Sequence, residues 1–425
     1  MSQTPRWPAD WWYFGWNIVA AGSVLTLLTV GLRMSIGPFF LPMAYDLGFS
    51  RSQLAAIVAV GMLVYGLAMP LAAFIVNRRG TRFVLLLGTA MVVIASVWTS
   101  LARDATNLLL SFGILLSVGL AFTGPVAVTP VISHWFQRQR GMALLFLSTG
   151  SMAGMGVMTP VLSHTIGEFG WRSTLGGFAV VFALLAVPLA LFVVRDDAPE
   201  SGDMGTNTQP HAPAPLAALS FAEAVRTVPF LMVSFGLFAC GFSMNLLGTH
   251  GMPMLMDHGF DAATSAHGIG VIGLTAIVGT LILGRIADRL PRNYLLAAIY
   301  LVRGLGFFAL MVVGSHLELY AASMLGGLVW AGSIALSSAI LADVYGVKLV
   351  GMLYGWAYVG HQVGGMISSW LGGWGFDTLG THWPAFGAAG VLLMLAAIVA
   401  YRLPRSGSLR PLAAHPFAAN TRSGT

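Results

Sequence analysis

Residues 54–76 read LAAIVAVGMLVYGLAMPLAAFIV and carry no charged side chain. A helix needs about 20 such residues to cross the apolar core of a bilayer. The run lacks the alternation of apolar and polar residues that a membrane barrel strand shows, and a helix satisfies its backbone hydrogen bonds within one segment. This stretch therefore predicts a transmembrane helix.

Similar apolar runs recur along the 425 residues, of which 57% are hydrophobic and 8% charged. Soluble globular proteins keep roughly a quarter of their residues charged, so a cytosolic enzyme, a secreted domain and a disordered regulator are all excluded. The sequence predicts an all-α membrane protein with twelve transmembrane helices in two six-helix bundles. The predicted spans are residues 17–41, 53–76, 83–102, 107–133, 141–165, 173–194, 229–256, 265–287, 294–314, 319–342, 350–374 and 384–402.

A segment rich in proline, alanine and polar residues, DDAPESGDMGTNTQPHAPAPLAAL (196–219), separates the two sets of spans and is typical of a linker. Ser220 and Glu223 follow it with the spacing of a capping box, which predicts a short helix before the seventh span. The expected organisation is an N-terminal bundle (1–195), a cytoplasmic linker with a short helix (196–228), a C-terminal bundle (229–403) and a cytoplasmic tail (404–425).

The basic residues lie mainly on alternate loops. Of the 21 lysines and arginines, only Arg51, Arg103 and Arg172 fall on the side opposite the termini, and Arg33 and Arg303 fall inside spans. Cytoplasmic loops of membrane proteins are enriched in Lys and Arg. We therefore expect both termini to be cytoplasmic, in a multi-pass protein of a bacterial inner (plasma) membrane.

One loop pattern occurs once in each half, as AFIVNRRGTR (73–82) and GRIADRLPR (284–292). The chain here resembles the major facilitator superfamily, whose members carry a G-x-L-A-D-R-x-G-x-R loop at these two positions. The resemblance implies the twelve-helix fold of that family and a loop that clamps neighbouring helix ends in one conformation of the transport cycle. The matching positions are Asn77, Arg78, Gly80, Arg82, Gly284, Asp288 and Arg289.

Two further stretches resemble the monocarboxylate and oxalate–formate branch of that family: Phe14-Gly15-Trp16, and WFQRQRGMALLFLSTGSMAG (135–154). Three charged positions of the branch are absent. Its arginine in helix 8 falls at Thr280, its accompanying carboxylate near Ala276, and its lysine in helix 1 at Met34. The branch's machinery for lactate and protons therefore does not carry over to this chain.

Two arginines lie within spans, where a charge is costly and marks a cavity, a partner or a pathway. Arg33 lies in span 1, ahead of Gly37-Pro38. Its guanidinium either binds a carboxylate through two parallel N–H donors or donates to backbone carbonyls that the proline leaves without a partner. Arg303 in span 9 either contacts an anion or is a structural arginine buried against carbonyls. Because no Asp or Glu lies deep in any predicted span, an anionic substrate is favoured as the missing counter-charge.

The other candidate substrate contacts are polar or aromatic. His361 and Gln362 lie in the middle of span 11, where the resemblance implies an anion contact. Histidine also titrates near neutral pH, so His361 is the candidate for proton coupling, the alternative being a histidine that bonds between helices. Asn245 on span 7 is a candidate ligand contact. Tyr65, Trp330 and Tyr358 are candidate aromatic walls of the cavity or packing residues.

The chain has one lysine, Lys348, and no phosphate-binding loop around it; no Cys/His cluster has metal spacing. It is therefore not expected to be an enzyme or to use a cofactor. Nucleic acid is not an expected partner either, because the basic residues lie at helix ends and are not clustered on one face. We predict a secondary transporter that moves a small monocarboxylate-type anion across the bilayer by alternating access, with H⁺-coupled uptake, and we expect it to be a monomer. The alternatives are an exporter of amphipathic compounds and a carrier of a neutral or cofactor-like solute on the same fold.

Overall fold

The computed structural model describes residues 13–136, 139–197, 220–287 and 289–404, and within these ranges every regular element is a helix. The predicted all-α membrane fold is confirmed, and helix covers each of the twelve predicted spans. Span 1 consists of Gly15–Met34 and Gly37–Leu47, span 2 is Arg51–Arg79, and span 3 is Thr81–Leu101. Span 4 consists of four consecutive helical segments: Ala105–Leu108, Leu109–Leu116, Ser117–Thr123 and Pro125–Trp135. Spans 5 and 6 together are Arg140–Pro188, continued by Leu189–Val193. Span 7 is Val228–Asp257, span 8 is Ala262–Ala287, and span 9 is Arg292–Leu310. Span 10 consists of His316–Leu328 and Gly332–Tyr345, span 11 is Val347–Leu379, and span 12 is Trp383–Tyr401.

Ten stretches of the described residues are long and apolar enough to cross a membrane. One of them, Arg140–Val193, contains Gly170 at φ +75°, where the chain turns back, so this stretch supplies spans 5 and 6. Val347–Leu379 is also long enough but less apolar, because it carries His361, Gln362 and several glycines. The least apolar span is thus the one that holds two predicted site residues.

Twelve crossings bring Tyr13 and Pro404 to the same end of the bundle, here called the terminal end; the opposite end is the distal end. Spans 1–6 form the first half and spans 7–12 the second half. The four-residue helix Phe221–Ala224 precedes span 7, and its predicted capping box is present, with the Ser220 hydroxyl accepting from Glu223 N. Residues 198–219 of the predicted linker lie outside the described residues.

Span 1 is broken one turn before its proline. The first helix ends at Met34, and the second begins at Gly37 with Pro38 in its first turn. Proline lacks an N–H and its ring clashes with the preceding turn, so the start of a helix is the position at which it costs least. The break leaves Arg33 in the last turn of the first helix, midway across the bundle.

Glycines allow the helices around this level to approach closely. A Cβ on Gly241 of span 7 would overlap the backbone carbonyl of His361, and one on Gly66 of span 2 would lie 2.6 Å from Cγ of Gln362. Span 11 is therefore held tightly against span 7 of its own half and against span 2 of the other half. This packing presents Gln362 to the first half.

Candidate substrate-binding site

The guanidinium of Arg33 lies at the contact between the two halves, and the residue as a whole is only 6% exposed. Its Nη2 donates to Oδ1 of Asn245 at 2.9 Å and to Oε1 of Gln362 at 2.7 Å. Both acceptors belong to the second half, on spans 7 and 11. A single side chain of the first half therefore links the two halves in the middle of the bundle.

The remaining surroundings of Arg33 are uncharged. Nη2 also contacts Sδ of Met62 at 3.3 Å, and the guanidinium lies over the Tyr65 ring, 4.1 Å from its centroid. Nε is buried and has no hydrogen-bond partner. Within the described residues, no carboxylate oxygen lies within 4.0 Å of this guanidinium. The site therefore holds a positive charge that is solvated by dipoles and by an aromatic face.

The amide of Asn245 is fixed by its own helix. Its Nδ2 donates to the carbonyl oxygen of Gly241, one turn earlier, at 2.8 Å. With the donor end of the amide occupied, Oδ1 is the atom that faces Arg33. This orientation positions an acceptor for the guanidinium without adding a negative charge.

His361 is buried beside this cluster and does not bond to Arg33. Its ring stacks on Tyr358 at 4.7 Å with an interplanar angle of 6°, and Nε2 of Gln362 lies 3.4 Å from its Nδ1. If the Gln362 amide donates to Nδ1, the proton of the neutral ring is on Nε2. That Nε2 is buried and has no hydrogen-bond partner, so a free polar group lies beside the Arg33 cluster.

A cavity of about 30 Å³ opens on the first-half side of Arg33. A cavity needs about 10–15 Å³ of such space to hold one water molecule, so this one has room for about two, and a larger solute enters only when the helices rearrange. The cavity is mainly apolar, with Tyr65 and Ser117 as further polar members. Its other lining residues are Leu32, Ile36, Phe39, Val58, Gly61, Met62, Phe112, Gly113, Leu116 and Leu120.

The structure does not bring Arg303 or Trp330 to this cluster. Arg303 lies inside the second half, where span 10 is interrupted between Leu328 and Gly332. Its Nη2 donates to the carbonyl oxygen of Val329 at 2.8 Å and to that of Trp330. Lone carbonyls at the end of a helix attract a cation. The geometry of Arg303 is therefore that of a structural cap on the broken span.

Replacing Arg303 with alanine is expected to lower thermal stability strongly, because it leaves the Val329 and Trp330 carbonyls buried without a donor. An unpaired buried polar group costs about 1–3 kcal/mol, and two carbonyls lose this donor here. The melting temperature of the purified protein in detergent measures this. Arg285→Ala, which removes an exposed arginine from span 8, is the control and should melt like the parent. Equal melting of both variants would contradict a capping role.

The loop-motif residues lie at the terminal end. Gly80 adopts φ +82°, which only glycine adopts freely, and turns the chain from span 2 into span 3. The carboxylate of Asp196, at the end of span 6, accepts from the backbone N–H of Thr81 at 3.0 Å. Asp288 lies outside the described residues, and the remaining motif positions are exposed: Asn77, Arg78, Arg82, Gly284 and Arg289.

A second set of contacts between the halves, not predicted from the sequence, closes the distal end. Arg51 at the start of span 2 pairs with both oxygens of Asp257 at 2.5 and 3.1 Å, and Nε2 of His382 lies 2.8 Å from the same carboxylate. Asp377 accepts from the backbone N–H and hydroxyl of Ser52 at 2.7 and 2.6 Å. We call Arg51, Ser52, Asp257, Asp377 and His382 the distal clamp. In sequence these are ordinary polar and charged residues at helix ends, and only the fold pairs them.

Twelve helical spans with a buried, uncompensated cation between two halves define a multi-pass membrane transporter. Comparison with known proteins agrees: the model of the family described as Major Facilitator Superfamily matches residues 22–316 and 252–423. The chain belongs to this family. The family and the relatives are transporters and not enzymes, and they carry small-molecule substrates within a membrane.

Two curated relatives align along most of the chain. One is the uncharacterized MFS-type transporter YcxA of Bacillus subtilis, 27% identical over 91% of this chain and 92% of its own. The other is monocarboxylate transporter 11 of Homo sapiens, 28% identical over 96% of this chain and 86% of its own. Among solved structures, a bacterial homologue of the human lysosomal transporter Spinster, inward-facing and unoccupied, superposes with a TM-score of 0.65. It covers 91% of this chain and 96% of its own at 17% identity, and supports the fold alone.

Proposed function

We propose that this protein is a secondary transporter of a small organic anion, and that Arg33 binds the anion. The observation that carries this proposal is the buried guanidinium of Arg33 between the halves, held by amide oxygens and an aromatic ring with no carboxylate beside it. Arginine presents a planar fork of donors that matches a carboxylate. A carboxylate-bearing substrate would supply the missing negative charge.

The two amide contacts explain how binding would be coupled to movement. In the observed conformation Arg33 links the first half to spans 7 and 11 through Asn245 and Gln362. An anion that takes the Nη2 donor would replace these links by stronger bonds in which the acceptor is charged as well as the donor. The halves would then be free to rock about the midplane site, as alternating access requires.

The substrate class follows from the chemistry at Arg33 and is supported by two lines. The site offers one guanidinium, which matches one carboxylate, and relatives at 24–28% identity are described as monocarboxylate transporters. An orientation with the terminal end in the cytoplasm of a bacterium agrees with the distribution of basic residues.

Counterflow with reconstituted protein tests this proposal. Vesicles loaded with an unlabelled monocarboxylate should accumulate a labelled monocarboxylate, and neither a neutral analogue nor an amphipathic cation should compete. Aromatic and aliphatic acids and dicarboxylates complete the panel. Exchange of amphipathic cations or neutral solutes, with no carboxylate exchanged, would favour the alternative carriers instead.

Proton coupling is proposed at His361, because its Nε2 is buried without a partner while its Nδ1 lies 3.4 Å from Nε2 of Gln362, which binds Arg33. Uptake is expected to fall as the external pH rises above neutrality, and His361→Gln should flatten this pH profile while exchange without a gradient persists. The matched control is His267→Gln, an exposed histidine on span 8. Unchanged pH profiles in His361→Gln would place the coupling elsewhere, for instance on the substrate.

A further inference from the structure

A second basic site lies at the terminal end, far from Arg33. A groove of about 650 Å³ runs between the start of span 3 and the end of span 6. We propose that this groove binds the phosphate headgroup of an anionic phospholipid in the adjacent leaflet. The groove is lined by Arg79, Arg82, Phe83, Leu86, Arg195, Asp196 and Asp197.

The arginines of the groove carry uncompensated charge. Within the described residues, no carboxylate oxygen lies within 4.0 Å of the guanidinium of Arg79, Arg82 or Arg195. Arg79 lies 5.9 Å from the centroid of the Phe83 ring, and Nη2 of Arg82 donates to the carbonyl oxygen of Val194 at 3.2 Å. These contacts orient the guanidinium groups and leave their positive charge available.

The acids of the groove do not cancel this charge. Asp196 is engaged with the backbone, accepting from the N–H of Thr81 at 3.0 Å and from that of Arg82 at 3.5 Å. A Cβ on Gly80 would lie 2.6 Å from Oδ2 of Asp196, so the carboxylate is also packed against the turn. Asp197 is the one remaining acid of the lining, against three arginines.

The second half offers an internal comparison. Arg292 begins span 9, as Arg82 lies at the start of span 3, but Arg292 pairs with Asp343 at 2.5 Å. There the positive charge is neutralised within the chain. In the first half the corresponding charge has no carboxylate partner, and an anion from outside the chain would fill that role.

The surroundings identify the anion as a lipid headgroup. The groove lies where spans 2, 3 and 6 leave the apolar core, and Phe83 in its lining is 44% exposed. Phe192, in the last helical turn of span 6 before Arg195, is 72% exposed. Exposed aromatic rings beside arginines place the groove at the lipid-facing surface. A phospholipid would put its phosphate among the arginines and its acyl chains along Phe83 and Phe192. A soluble phosphate would make only the first of these contacts.

Native mass spectrometry of the full-length protein in detergent tests this inference with phosphatidylglycerol and phosphatidylcholine of identical acyl chains. Each arginine near anionic lipid contributes about 1 kcal/mol, or about fivefold in affinity. Arg79→Gln should therefore lower phosphatidylglycerol retention about fivefold. The triple variant Arg79→Gln, Arg82→Gln, Arg195→Gln should retain no more of it than of phosphatidylcholine. Arg226→Gln, an exposed arginine at the same end, should match the parent.

Glycerol phosphate distinguishes a lipid from a soluble anion. We expect that glycerol phosphate does not bind the parent protein at the concentration at which phosphatidylglycerol saturates the site. We also expect that it does not displace bound phosphatidylglycerol. Equal retention of phosphatidylglycerol by the parent and by Arg79→Gln, or equal retention of both lipids by the parent, would overturn the proposal. So would equal binding of glycerol phosphate, which would make the groove a soluble-anion site. The single variant keeps the test valid even if the triple variant fails to fold.

Discussion

Arg33→Ala should reduce uptake of the transported anion to the background of empty vesicles. Removing one partner of a buried, hydrogen-bonded charge pair costs about 2–5 kcal/mol, which corresponds to a loss of about 30-fold to several thousand-fold in affinity. Nη2 of Arg33 also bonds to Asn245 and Gln362, so the variant loses the contact that links the halves. Initial uptake rates in proteoliposomes measure the effect.

One further variant separates the charge of Arg33 from the geometry of its donors, and a second variant is the control. Arg33→Lys keeps the positive charge but loses the planar fork, and should retain weak uptake with a raised KM. Arg103→Ala removes an exposed arginine at the distal end and should transport like the parent. Insertion of each variant is checked by its yield and by its size-exclusion profile. Near-normal uptake by a well-folded Arg33→Ala would refute the anion clamp.

Asp257→Asn should open the distal end. Asp257 binds Arg51 of the other half through two oxygens and also bonds to His382, so neutralising it weakens the distal clamp at its centre. We expect the fraction of distal-open molecules to rise about tenfold, which corresponds to about 1.4 kcal/mol. The measurement is the rate at which an impermeant thiol reagent labels a cysteine at Met252, a buried residue beside Gly37 at the contact between the halves.

The labelling experiment has a suitable background and a matched control. The only cysteine, Cys240, is buried and contacts the Ser333 hydroxyl at 3.3 Å, so Cys240→Ser is a conservative background. Asp46→Asn breaks an ion pair with Arg172 at the same end, but both partners belong to the first half. It should leave the labelling rate unchanged. Equal labelling in Asp257→Asn and Asp46→Asn would show that the distal clamp does not hold the halves together.

The helical fold could be predicted from the sequence because only helices and closed barrels can span the apolar core of a bilayer. Apolar runs such as 54–76 must form helices once water is absent, and their spacing sets their number. The interruption of span 10 was not predicted, because LVWAG (328–332) contains no proline. Its carbonyls are bonded by Arg303 from a neighbouring span, and that contact exists only in the folded bundle.

The sequence predicted individual residues of the candidate site but not how the fold arranges them. The cost of a buried charge pointed to both Arg33 and Arg303, and nothing local distinguishes them. The fold does: Arg33 faces amides of the other half, whereas Arg303 faces carbonyls of its own half. The distal clamp was missed for a similar reason, since Arg51 and Asp257 are 206 residues apart and each follows the ordinary pattern of a helix end.

The central claim is that Arg33 recognises the negative charge of the substrate. Equilibrium binding of the best carboxylate from counterflow, compared with its carboxamide, tests this claim most directly, because the two ligands differ little in shape but differ in charge. The parent protein should bind the carboxylate at least about 30-fold more tightly than the carboxamide, and Arg33→Ala should bind both weakly and alike. Equal affinity of the parent for the two ligands, or undiminished binding of the carboxylate by Arg33→Ala, would contradict it.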